Sequence, residues 1–171
     1  MRNVIKEIEL GKINLESGSI FISDPCYNTD VWCTKYLPNI KKGEYICRAT
    51  MVDEGSWGNR IAELTINHIK NSKNKSRTVI YHSIGVDSGQ CGFFDYEYYN
   101  KHHNKSQYID DTPEGKDWYE RVCDITLNGD SCGTIDNLGV VSESGFGDGM
   151  YFLYAGYNSK DEIVSLRLKF I

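Results

Sequence analysis

The chain has 171 residues, 40% of them hydrophobic, 12% aromatic and 25% charged, the makeup of a globular domain large enough to fold without disulfides or a metal. Its formal net charge of −5 excludes general affinity for DNA or RNA backbones, which needs clustered Lys and Arg. No apolar run approaches the ~20 residues of a membrane span, and the opening "MRNVIKEIELGKINLESGSIFIS" is too regularly charged for a signal peptide. A cytoplasmic protein with no membrane or nucleic-acid partner is therefore expected. In that reducing compartment Cys26, Cys33, Cys47, Cys91, Cys123 and Cys132 are expected to be free thiols. Without a Cys-x-x-Cys or His-x-x-x-His pair, no zinc site is expected.

In chain order, runs rich in β-branched and aromatic residues predict strands over residues 4–10, 19–23, 44–52, 60–68, 78–84 and 92–99, then 139–142, 151–157 and 163–170. Apolar and polar residues alternate in "YICRATMV" and "IVSLRLKF", as in strands with one face on a core and one on water. The last two strands, joined by "NSKDE", read as a hairpin with a five-residue loop. "TPEGKDWYERVCDITLNG" predicts a helix over about 113–126. There Thr112 caps, Pro113 takes the first helical position, and Glu114 and Asp117 suit the positive end of the dipole. Trp118, Val122 and Ile125 make its apolar stripe, and "NKHHNKSQYIDD" before it reads as a polar surface loop. The fold predicted is mainly β: one domain over residues 1–171, a β-sandwich or barrel-like set of antiparallel sheets with a loop-plus-helix insertion at 100–130.

Four segments at strand ends are unlike strand interiors and, in a sandwich, gather at the ends of the sheets. In "SDPCYN", Asp-Pro begins a turn, yet it sets the carboxylate of Asp24 two residues from the thiol of Cys26 and beside the phenol of Tyr27. Cys26 as a nucleophile needs a base, which His82 could supply only if folding brought it close. "GSWGNR" offers Trp57 as an aromatic platform or a core residue, and Arg60 for a phosphate or carboxylate or for a surface ion pair. In "GVDSGQCGFFD", Asp87, Ser88 and Gly89 suit a ligand or an Asx-type turn, while Phe93 and Phe94 point to opposite sheet faces and Asp95 follows. "SGFGDGMY" carries Ser144, Gly147, Asp148, Gly149 and Tyr151. It is neither a P-loop nor an EF-hand, and its three glycines around one acid either turn tightly or leave amides for an acceptor-rich ligand.

The strings "DPCY", "VDSGQCGFFD" and "SGFGDGMYFLYAGYNSKDEIVSLRLKF" resemble the signature blocks of the domain-of-unknown-function 4241 group of bacterial and phage-encoded proteins. Phe152 stands where many members have proline, and Gln90 where they have threonine. The resemblance implies a shared site built from Asp24, Asp87, Asp95 and Asp148 without naming a reaction. Three functions compete. One is a phage-encoded module of the host cytoplasm that sequesters a nucleotide-derived immune signal, using Tyr27, Trp57 and Phe94 for stacking, Arg60 for charge and loop amides for phosphates. The second is a hydrolase that uses Cys26, Asp24 or Asp148, with Mg²⁺ or Ca²⁺ on the acids as the only cofactor considered. The third is an inhibitor of a host protein that presents the tyrosines of "FFDYEYYNKHH". A homo-oligomer remains open in each.

Overall fold

Alternating burial sorts the strands of the computed structural model, which describes residues 3–71, 73–103 and 113–171, residues 103 and 113–117 by their backbone alone. The elements in chain order are β1 (Asn3–Leu15), β2 (Ser19–Ser23), β3 (Lys35–Pro38), β4 (Gly43–Asp53), β5 (Asn59–His68), β6 (Arg77–Val86), β7 (Gln90–Asp95), α1 (Tyr96–His103), α2 (Pro113–Leu127), β8 (Cys132–Ile135), β9 (Gly139–Glu143), β10 (Gly149–Tyr157) and β11 (Ile163–Lys169). A six-stranded antiparallel sheet runs β1-β4-β5-β11-β10-β6, and a five-stranded one runs β3-β2-β7-β9-β8. Neither closes on itself, so the barrel alternative is excluded and the protein is a mainly β fold of two sheets.

Two cores follow from which faces are apolar. Ile13, Leu15, Cys47, Leu64, Ile66, Leu153 and Leu166 from the larger sheet meet Ile20, Ile22, Phe93 and Val140 from the smaller one. On the smaller sheet's other face, Phe21, Phe94, Ile135 and Val141 pack beneath Tyr98 and Tyr99 of α1 and Trp118 and Val122 of α2. β2 and β7 are thus covered on both sides and buried along their whole length, which is why they read as near-continuous apolar runs. Phe93 and Phe94 do face opposite ways, and burying one such ring stabilises by about 1.5–3 kcal/mol.

Residues 96–99, expected as strand, form the first turn of α1. The cause is Asp95, whose Oδ1 accepts the N–H groups of Glu97 at 3.1 Å and Tyr98 at 3.4 Å, capping the helix as β7 ends. Helix therefore starts before the boundary at 100. Tyr98 and Tyr99 are buried and Tyr96 is half-buried against Phe21 and Tyr36, so "FFDYEYYNKHH" turns most of its tyrosine surface inward. The four-residue strands β3 and β8 were not expected; each has only one inward-facing buried side chain to signal it. Thr112, most of "NKHHNKSQYIDD" and the side chains of Glu114 and Asp117 lie outside the described residues. The β10–β11 hairpin has the five-residue loop expected, and all six cysteines are free.

Candidate ligand site at the loop end

The pairings Ser23↔Gly92, Gln90↔Glu143, Gly149↔Val86 and Lys169↔Glu63 bring the end of β2, the start of β7, the end of β9 and the starts of β10 and β5 to one end of the sandwich. All four candidate loops therefore meet there. The opposite end of β7 carries Asp95, which is separated from Asp24, Asp87 and Asp148 by the length of the strand. Its Oδ2 accepts the N–H groups of Glu16 at 3.1 Å and Ser17 at 3.0 Å, so the carboxylate fastens the β1–β2 connection as well as α1. Phe94 lies beneath the helices, away from the loops.

Asp24 is fully buried and its two oxygens are occupied by the chain itself. Oδ1 accepts the Cys26 N–H at 2.8 Å and the Ser88 hydroxyl at 2.6 Å, and Oδ2 accepts the N–H groups of Asp87 at 2.8 Å and Ser88 at 2.7 Å. The carboxylate thus welds "DPCY" to "VDSG" through charge-assisted bonds. Tyr99 adds its hydroxyl, donating to the carbonyls of Asp24 at 3.1 Å and Tyr27 at 2.6 Å. Tyr27 in turn donates to Asp87 Oδ2 at 2.5 Å, and partial burial together with that carboxylate pushes its pKa up. Burial, reinforced by Asp24, also pushes the Cys26 thiol up, which keeps it protonated and poorly nucleophilic.

The glycine loop lies against "VDSG": the Ser144 N–H donates to Gly89 O at 3.0 Å. Within it the Tyr151 hydroxyl donates to the carbonyls of Ser144 at 2.9 Å and Gly147 at 2.5 Å, and Ser144 Oγ donates to Gly147 O at 2.8 Å. Gly145 takes φ +61° and Gly147 φ +107°, and a Cβ on Gly145 would lie 2.9 Å from Ile171 Cγ1. The turn and the packed C-terminal residues thus require these two glycines without a ligand. Asp148 and Gly149 stand exposed beyond them.

Two hollows flank this wall. One, of about 430 Å³, runs between the wall and α2, with Arg60, Ser88, Gly89, Gln90, Glu143, Phe146 and Gly147 facing Tyr119, Cys123, Thr126 and Leu127. Its floor is tied to α2 by Thr126 Oγ1 donating to Gln90 Oε1 at 2.8 Å. The Tyr119 hydroxyl faces Cys123 and Ser88, and burial raises its pKa. At the rim Trp57, 64% exposed, meets Phe146 edge to face with centroids 5.8 Å apart. The other hollow, of about 500 Å³, is lined by Tyr27, Trp32, Cys33, Asp87, Asp148, Gly149 and Met150. Among the described residues no three His, Cys, Asp or Glu side chains cluster as metal ligands would, and His82 stacks on Phe152 (centroids 4.0 Å apart) on the outer sheet face.

A family model described as "Protein of unknown function (DUF4241)" matches residues 13–168. The chain belongs to that family. The match runs from the end of β1 into β11 and so takes in every loop of this end. No curated protein and no solved structure matches the chain. No helix among the described residues is long and apolar enough to cross a membrane.

The family blocks locate the loops but not the α2 wall. Tyr119, Cys123 and Thr126 follow at spacings of four and three, parallel to the Trp118, Val122 and Ile125 stripe. That second, half-polar stripe was a readable sign that α2 has another face to place. Gln90, singled out only as a departure from the family, forms the cleft floor.

Proposed function

We propose that this DUF4241 protein is a binding module for a small, polar, nucleotide-like ligand, which it takes up whole in the cleft between α2 and the paired loops. The observation that carries the reading is the donor and ring inventory of that cleft. Arg60 donates to Asn59 O at 3.0 Å and has no ion pair among the described residues, leaving most of its planar fork for an anionic group. Tyr119 and Phe146 supply faces for a planar ring, and the volume of about 430 Å³ lies within the usual range for small-molecule pockets. Hydrolysis is less well supported, because Asp24 is occupied by backbone and hydroxyl donors and Cys26 is held as a thiol. A phage-encoded member working in its host's cytoplasm would, by this chemistry, withdraw a nucleotide-derived immune signal from its receptor.

The test is mass spectrometry of small molecules released by heat after the purified protein has been incubated with a nucleotide panel. Intact recovery of one compound, lost in Arg60→Ala while the melting temperature stays put, is the expected result. A chemically altered compound would establish turnover instead, and no retained compound from the panel would remove the nucleotide-like class.

A further inference from the structure

Sheet edges expose unpaired backbone groups, and proteins ordinarily blunt them with bulges, charge, proline or brevity. Three of the four edges here are treated in that way. β1 carries bulges at Val4/Lys6 and Glu9/Gly11 and the charges of Lys6, Glu7, Glu9 and Lys12. β3 is four residues long and ends in Pro38. β8 is equally short and is screened by the β1 side, where Lys6 meets Asp130 at 3.1 Å and the Asn14 N–H reaches Asn137 O at 2.8 Å.

β6 is the exception along residues 77–82, since its one register shift against β10, at Ser83, lies beyond them. It runs ten residues, "RTVIYHSIGV", at the end of the six-stranded sheet, with one charge, no proline and a β-branched, aromatic middle. Only its far end is covered on the free side, where the Gly85 N–H donates to Cys33 O at 2.9 Å; along residues 77–83 no partner strand lies there among the described residues. Beside that edge Ile80 is 57% exposed and Phe152 40% exposed.

We propose that β6 is a dimerisation edge: two copies of this chain pair their β6 strands antiparallel about a two-fold axis near Val79, merging two six-stranded sheets into one. The occupant is a second copy because a two-fold axis brings each residue near it against its own kind, and this stretch tolerates that. Its one charge, Arg77, is already matched by Asp161 at 2.9 Å. Pairing about Val79 sets Arg77 of one copy opposite Tyr81 of the other, over whose ring Lys35 Nζ sits at 4.5 Å. The exposed Asp161 carboxylate of each copy then comes toward the Lys35 ammonium of the other, twice by symmetry. Main-chain bonds supply affinity, and Ile80 and Phe152 of both copies merge into one apolar strip.

Sedimentation of the full chain across a dilution series tests this independently of the cleft. The expected result is twice the protomer mass at high concentration, with slowed exchange of the amides of residues 77–83. Ile80→Lys, which sets like charges across the axis, is expected to weaken dimerisation by about tenfold or more. Its melting profile on dilution should match wild type, and Val4→Lys on the exposed β1 edge should leave the dimer unchanged. A protomer mass throughout, a dimer indifferent to Ile80→Lys, or β6 amides that exchange equally fast at all concentrations would each overturn the proposal.

Discussion

Asp24 and Asp95 lie in the same sheet, on the paired strands β2 and β7 or just beyond them, and close opposite ends of the molecule. Each is buried and each receives backbone donors from two separate segments. At Asp95 the segments are a helix start and a strand connection, and the bonds seal the end. At Asp24 they are two loops, and the bonds leave those loops rigid with a cleft and a hollow on either side. A buried acid beside glycines is therefore no sign of reactivity here. Its meaning depends on what the segments it joins leave open.

The comparison is broken most forcefully at Asp24. Asp24→Ala strands three amides and a hydroxyl in a buried place and is expected to cost about 3–5 kcal/mol, read as a fall of roughly 10 °C or more in melting temperature. Asp95→Ala, at the partly wetter end, is expected to cost about 2–3 kcal/mol, with faster amide exchange in the first turn of α1 and an intact cleft. Equal losses of ligand retention in both variants would show that the two ends are not separate.

The glycine wall sharpens the contrast at lower energy. Gly145→Ala adds a close contact with Ile171 to backbone strain and should cost about 2 kcal/mol, whereas Gly147→Ala, strained but facing open space, should cost about 1 kcal/mol. Chemical denaturation of the two variants decides the order, and a reversed order would mean that Gly145's neighbours yield freely. Asp148→Asn should change stability by less than about 0.5 kcal/mol, because the carboxylate is exposed and lies beyond the bonded part of the loop. A large melting shift there would make Asp148 a structural acid like the other two.

The smallest expected effect is a pH effect at the Asp95 end. His68 Nδ1 accepts the Lys70 N–H at 3.1 Å, its other ring nitrogen faces Lys42 O at 3.2 Å, and burial lowers its pKa from 6.5. The unfolded chain therefore takes up the proton first. Stability is full above about pH 6.5 and declines as the pH falls below it, until the folded state is protonated too. Asp136, whose pKa Arg121 lowers, adds its own loss only at more acidic pH. His68→Gln should flatten the first decline in a melting series and leave the second.

The sequence displayed the strands of the larger sheet because alternation is a local signal, and β2, β7 and β9 of the smaller one because burial on both faces leaves short continuous apolar runs, a signal equally local. It displayed the helix of Trp118 and Val122 for the same reason. It hid the start of α1, where a short stretch rich in tyrosine has strand propensity, and a carboxylate bond two and three residues on decides for helix. Strand ends alone placed the four loops at the ends of the sheets, but only the pairing registers put all four at the same end. The fates of Asp24 and Asp95 were not readable, because whether a loop carboxylate turns inward depends on amides 63 and 79 residues away in the chain. The α2 wall of the cleft showed in the sequence only as a second, half-polar stripe, and Tyr119, Cys123 and Thr126 face the loops only once the other stripe has docked.

β11 follows the ten other strands in chain order yet lies between β5 and β10, inside the six-stranded sheet. Until it arrives, β1-β4-β5 and β10-β6 are two fragments with no strand pairing between them. On a ribosome most of the chain would then wait, its apolar faces half covered, for the residues made late. Such non-local closure makes for slow folding, and it makes the interval before β11 is released the time when this protein most needs a chaperone.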